Sequence, residues 1–289
     1  MKALRRSALV ATLFLIAGSP VRACTVLFAF DGKVALAGSN EDWADPNTQI
    51  WFVPASKDTY GIVYFGFGKG EYPKGGISSR KLDIPEGGIA KINPADLYGF
   101  PQGGMNEKGL FFDGAATEVV TIRPVPGKKK YNGRLEDLIL RKCATVEEAL
   151  KLIEQYDFSF VQGQWLFADK TGDSFIIEAG EVIVRKQGNC QVMTNFLQSR
   201  VQPEEVNCPR YQLVTKTLTN QKTLSVDVVR SLLKATSVQS TQYSTIFRLG
   251  EGEVYIYHRG DFERVVKITL HEELRKGERA VKIGSLFEQ

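Results

Sequence analysis

Histidine is almost missing from this chain of 289 residues: only His258 and His271 occur, and neither stands in a nucleophile motif. A histidine-assisted cysteine has little support on that count, although catalytic pairs meet in space and not in sequence. Both histidines read as surface or strand-edge residues. Cysteine is scarce as well, at Cys24, Cys143, Cys190 and Cys208. Their spacings match no zinc or redox pattern, so no metal or cofactor is expected, and a Cys190–Cys208 bridge and buried free thiols both stay open. Long apolar runs are absent; the longest, from about Ala8 to Ala17, falls short of the ~20 residues a membrane-spanning helix needs. No internal repeat or low-complexity segment occurs. The Gly66, Gly68, Gly70 spacing lacks the following helix that a phosphate cradle requires, and reads as flexible loop.

An excess of one charge is missing too. The 37 basic residues outnumber the 33 acidic ones by four. All four of the surplus, Lys2, Arg5, Arg6 and Arg22, lie before residue 24 in a segment with no acidic residue. That segment is laid out like a secretory leader: basic start, apolar middle, then Gly18-Ser19-Pro20 and Val21-Arg22-Ala23, with small residues placing the cut between Ala23 and Cys24. The expected product is an exported protein, periplasmic or secreted, with a net charge near zero. Nucleic acid is thereby disfavoured as a partner. We divide the chain into a signal peptide, 1–23, and a single domain, 24–289.

The mature part opens with strand-like runs at Thr25 to Phe30 and Val34 to Gly38 about an Asp31-Gly32-Lys33 turn, then at Gln49 to Val53 and Gly61 to Phe67. Residues 68–104 read as a long surface loop. After a strand at Gly109 to Thr117, two helices are predicted in "GRLEDLILRKC" and "TVEEALKLIEQY", the second with a Thr145/Glu148 capping box. A meander follows: Gln164 to Ala168, Ser174 to Glu178, Val182 to Lys186, then the run Cys190 to Asn195. Helical patterns return at Cys208 to Leu218 and Val226 to Ala235, before strands at Tyr243 to Leu249, Val254 to His258 and Phe262 to Leu270. Strands in blocks and helices in blocks predict an α+β layered fold and disfavour a doubly wound parallel sheet.

Cleavage before Cys24 would leave a thiol and a free α-amine on one residue, with reference pKa values of ~8.5 and ~7.7 to 8.0. Such a residue carries its own base near neutral pH. The hairpin returns "LAGSNEDW" to the same end, bringing Ser39, Asn40, Asp42 and Trp43 near Cys24. Asp42 there could hold the α-ammonium, although taken alone it reads sooner as a loop carboxylate or helix cap.

Cys24-Thr25 followed by Gly38-x-Asn40-x-Asp42-Trp43 resembles the opening of the choloylglycine hydrolase and penicillin V acylase family of N-terminal-nucleophile hydrolases. "MNEKGL" (105–110), Thr194-Asn195 in "VMTNF" and the C-terminal "STIFRLGEGEVYIY" resemble further family motifs, in the right order. The resemblance implies an αββα sandwich of antiparallel sheets and hydrolysis of the linear amide bond of a small N-acylated molecule, such as penicillin V, an N-acyl homoserine lactone or a conjugated bile acid. It implies Cys24 as nucleophile, Asp42 as the group that positions its amine, Asn195 as oxyanion donor and the backbone N–H near Ala115 or Ala116 as the second donor, with Asn40 in support. It leaves room for a homo-oligomer, and for acyl transfer in place of hydrolysis.

Two departures stand out. Ser39 occupies the place of an arginine in bile-salt hydrolases and penicillin V acylases. Their later arginine has no clear counterpart, with Arg200 and Arg248 as candidates. Trp43, Trp51, Phe65 and Phe67 are available either to an acyl pocket or to the core. The competing readings are a lipid-anchored protein acylated at Cys24, which the preceding "VRA" disfavours, and a catalytically inactive binding protein of the same fold.

Overall fold

The computed structural model describes residues 24–68, 99–121, 125–131, 133–158, 162–179 and 182–288. The expected signal peptide and most of the expected 68–104 loop lie outside them. Strands β1 (Thr25–Phe30), β2 (Ala35–Asp42), β3 (Thr48–Val53), β4 (Ile62–Gly68), β5 (Gly99–Asn106) and β6 (Leu110–Ala115) come first. The short β7 (Lys129–Lys130) and β8 (Tyr156–Asp157) bracket helices α1 (Leu135–Lys142) and α2 (Val146–Ile153). Next are β9 (Gln164–Asp169), β10 (Ser174–Glu178), β11 (Val182–Arg185), β12 (Cys190–Met193), and helices α3 (Pro209–Asn220) and α4 (Val226–Thr236). The chain closes with β13 (Thr241–Arg248), β14 (Glu253–His258), β15 (Asp261–Thr269), α5 (Leu270–Arg275) and β16 (Arg279–Lys282).

The long strands form two sheets, ordered β12-β1-β2-β13-β14-β15 and β11-β10-β9-β6-β5-β4-β3-β16, with every pairing in both antiparallel. Strict alternation assigns the side chains to layers. On β1, Val26 and Phe28 join Phe65, Phe111, Leu166 and Phe247 between the sheets, whereas Leu27 and Ala29 pack outward on Val214, Leu218, Val229 and Leu233 of α3 and α4. On the second sheet, Trp51, Tyr64, Phe112 and Phe167 face outward under Leu135, Ile139, Val146 and Ala149 of α1 and α2. Helices therefore cover both outer faces, giving the expected αββα sandwich.

Local chemistry fixes the turns. The Asp31 carboxylate accepts the Lys33 and Val34 N–H groups, and Gly32 takes the left-handed φ of 91° that closes the first hairpin. In "MNEKGL", Asn106 Oδ1 accepts the Lys108 and Leu110 N–H groups while its Nδ2 donates to the carbonyls of Leu140 and Cys143 at the end of α1. Thr145 caps α2 at the Glu148 N–H, and the Glu148 carboxylate reaches back to the Ala144 N–H.

Three expectations need correction. Residues 99–104 belong to β5, and Gly66 and Gly68 lie in β4. A Cβ at Gly66 would collide with the Phe100 carbonyl at a register shift, so that glycine serves strand packing and not flexibility. The run after Gly188 does not extend the meander; β12 crosses to the other sheet and pairs with β1. The strand ending "LAGSNEDW" runs on to Asp42, because β13 continues to pair with it up to Thr241.

Candidate active site

Cys24 sits immediately before β1 and is 5% exposed. The β1–β2 register pairs Thr25 with Asn40 and Val26 with Ser39, which sets Cys24 opposite Glu41. Glu41 and Ser39 in turn face Tyr243 and Thr245 of β13. Cys24, Glu41, Tyr243, Ser39 and Thr245 therefore share the inner face at one end of the sandwich. Asn40 and Asp42 alternate to the other side, where Asn40 Nδ2 donates to the Leu233 carbonyl at 2.9 Å and to Thr236 Oγ1 at 3.1 Å. Asn40 supports the site by tying β2 to the end of α4 and touches no reacting group.

Asp42 accepts a short hydrogen bond from Thr241 Oγ1, and its other oxygen, Oδ2, is buried with no partner. Burial pushes its carboxyl up to about 7, against the pull of the Thr241 hydroxyl and the Arg210 charge. Burial, then the carboxylates of Glu41 and Asp42, push the Cys24 thiol well up; the Asp42 N–H opposes them, and Asp113 adds to the rise.

The residue that joins the parts is Arg210, in the first turn of α3. Its Nη1 donates to the Cys24 carbonyl at 2.7 Å and to Thr25 Oγ1 at 2.8 Å, and its Nη2 donates to Asn195 Oδ1 at 3.2 Å. With its Oδ1 so held, the Asn195 amide is turned to donate, and Nδ2 makes one bond, to the Ala116 carbonyl at 2.9 Å. One guanidinium fork thus joins Cys24 to Asn195, which in turn holds the Ala116 carbonyl. Sequence reasoning missed Arg210. Arg200 and Arg248 do not fill its place: Arg200 pairs with Glu118, and Arg248 with Glu251 and Glu253.

At Ser39, where the resembling enzymes have arginine, the structure holds a chain of hydroxyls. Ser39 Oγ lies 3.0 Å from Thr245 Oγ1, and its hydroxyl, beside Asp113 of β6, opposes the rise of that carboxyl. Asp113 fits because its cross-strand partner on β5 is Gly103, where a Cβ would collide with the carboxylate. Burial pushes both Asp113 and Glu41 well up, and the Asp113 charge raises Glu41 further.

Other candidates lie elsewhere. His258 stacks on Phe287 at 5.4 Å, and His271 is exposed on α5. All four cysteines are free. Trp51 stacks on Tyr64 in the helix-facing layer, Phe65 lies in the core between the sheets, and Phe67 packs against Trp43 at 6.1 Å. A cavity of about 370 Å³ lined by Lys57, Lys108 and Arg141 opens at the opposite end from Cys24. Among the described residues no group of three or more His, Cys, Asp or Glu side chains is arranged to hold a metal ion, and no helix is long and apolar enough to cross a membrane.

No family model matches the sequence, and no characterised protein matches it by sequence alone. Solved structures do match. A variant of the conjugated bile acid hydrolase from Clostridium perfringens is 17% identical, with 90% of this chain and 96% of that chain covered and a TM-score of 0.60. Penicillin V acylase from Agrobacterium tumefaciens is 16% identical over 89% of this chain and 90% of that one, with a TM-score of 0.59. An N-acylethanolamine-hydrolyzing acid amidase ortholog from Caenorhabditis elegans is 14% identical over 78% and 93%, with a TM-score of 0.50. With its two antiparallel sheets, its outer helices and Cys24 at the head of β1, this chain has the fold of the N-terminal-nucleophile linear amide hydrolases.

Proposed function

We propose that the mature chain is an exported amide hydrolase, periplasmic or secreted, in which Cys24, freed by removal of residues 1–23, is the nucleophile. The observation that carries this reading is the Arg210 fork, which holds the Cys24 backbone and the Asn195 side chain in one geometry. The Cys24 sulfur attacks the carbonyl carbon of a linear amide as its proton passes to the α-amine. Asn195 Nδ2, with the backbone N–H of Ala116, donates to the oxyanion; loss of one such donor costs ~3 to 4 kcal/mol in other enzymes. The carbon–nitrogen bond breaks as the α-ammonium returns the proton to the leaving amine, leaving a thioester on Cys24. Water then adds, its proton ends on the sulfur, and the carboxylic acid departs.

The unpartnered Asp42 Oδ2 suits an ammonium on Cys24, which would also offset the carboxylates that oppose ionisation of the thiol. Substrates are small N-acylated molecules of the penicillin V, N-acyl homoserine lactone or conjugated bile acid class. In Cys24→Ala and Cys24→Ser, hydrolysis of a panel of such amides should fall to background with the melting temperature retained. Full activity in Cys24→Ala, or a lipid on Cys24 in the native protein, would refute the reading.

A further inference from the structure

The inner face beside Cys24 is built from acceptors. Glu41, opposite Cys24 on β2, is 3% exposed, and Asp113, facing it from the other sheet, is 4% exposed. A second observation comes from a neutral side chain. Gln164 alternates with Leu166 and Ala168 onto the same inner face, beside Ala115 and two pairs along from Asp113 and Leu166. It is fully buried and spans the sheets by a hydrogen bond from Nε2 to the Thr194 carbonyl, next to Asn195. Its Oε1 has no partner.

We propose that the acyl half of the substrate carries a protonated primary amine, received between the sheets by Glu41, Asp113 and Gln164 Oε1. This rests on the hydrolase reading and narrows its substrate class to aminoacyl amides. An ammonium offers three donors and no acceptor, which matches two carboxylates and an amide oxygen. A neutral acyl chain would leave Gln164 Oε1 buried without a donor, a costly state. The assignment to the acyl half follows from the two sides of Cys24. The leaving amine must take its proton from the α-amine, on the Asp42 side, so the inner face is left to the acyl chain. Burial favours protonated Glu41 and Asp113 in the empty site, and the incoming cation would draw the proton off as it binds.

The test compares γ-aminobutyryl and pentanoyl p-nitroanilides, which differ by an ammonium in place of a methyl group. In the mature wild type, kcat/KM should favour the amino substrate by roughly 10- to 100-fold, the range of a charge-assisted hydrogen bond. In Glu41→Gln, Asp113→Asn and the double variant, that ratio should collapse toward one. These amides mimic the protonated acids, so folding is expected to survive, and the ratio is read within each protein. Equal or better turnover of the pentanoyl substrate by wild type would overturn this inference alone, as would a ratio unchanged in the double variant. If neither substrate turned over or acylated Cys24, the hydrolase reading would fall with it.

Discussion

Arg210 is the residue on which the site geometry depends most, because a single planar group bonds the Cys24 carbonyl, Thr25 Oγ1 and Asn195 Oδ1. Arg210→Met should lower kcat/KM by about 10- to 100-fold, the scale of hydrogen bonds to a charged group. Arg210→Lys should recover little, because a lysine cannot reproduce the fork; steady-state kinetics on both variants checks this. Asp42 gives a pH signature. Its folded value of about 7 lies above the ordinary aspartate value of 3.8, so the associated stability is present below about 4 and is lost as pH rises through about 7. Thermal melts of the uncleaved chain, in which Cys24 offers Asp42 no ammonium, should show stability falling over that window, and Asp42→Asn should flatten part of the slope. Cys24, Asn40 and Asp42 could be placed near one another from the sequence because a cut site and one hairpin set them locally, whereas Asn195 was named through the family resemblance. Arg210 was not: nothing in "CPRYQ" distinguishes it from a surface arginine at a helix start, and only the docking of α3 on β1 and β12 carries it to the nucleophile. The register that sets Glu41 beside Cys24 is visible in the hairpin, but Asp113 reaches the same place only through the stacking of two sheets.

At the scale of elements, Asn40 is a clasp between β2 and the end of α4. Asn40→Ala would leave the Leu233 carbonyl without its side-chain donor and Ser244 Oγ without its acceptor, at a cost of about 1 to 3 kcal/mol. Urea denaturation should register that loss in the midpoint. A second element-scale expectation concerns the Gly103–Asp113 pair: Gly103→Ala should displace the carboxylate and alter activity with all hydrogen-bonding groups still present. Hairpins were read well from Asp-Gly and related turn signals, since two strands and their turn are a local problem. The crossing of β12 was not, because alternation and turn chemistry mark a strand without naming the sheet it joins. The short α5 and β16 went unread for a related reason: six and four residues carry too little periodicity to separate from loop.

For the whole molecule, blocks of strands and helices pointed to an α+β layered fold, and the family resemblance supplied the αββα order of the layers. What architecture adds is a reason for latency. With residue 23 still attached, Cys24 has no α-amine, and burial with three neighbouring carboxylates holds its thiol protonated. The uncleaved chain should therefore react with thiol reagents at neutral pH far more slowly than the chain beginning at Cys24, a difference of at least about tenfold if the new ammonium lowers the thiol by one pKa unit. The central claim is that Cys24 becomes the nucleophile once its amine is free. Intact and peptide mass spectrometry of the mature chain, quenched during turnover of an N-acyl amide, tests it directly. The account predicts an acyl increment on the Cys24 sulfur that disappears as hydrolysis completes; turnover with Cys24 unmodified and with an acyl group on another residue would contradict it.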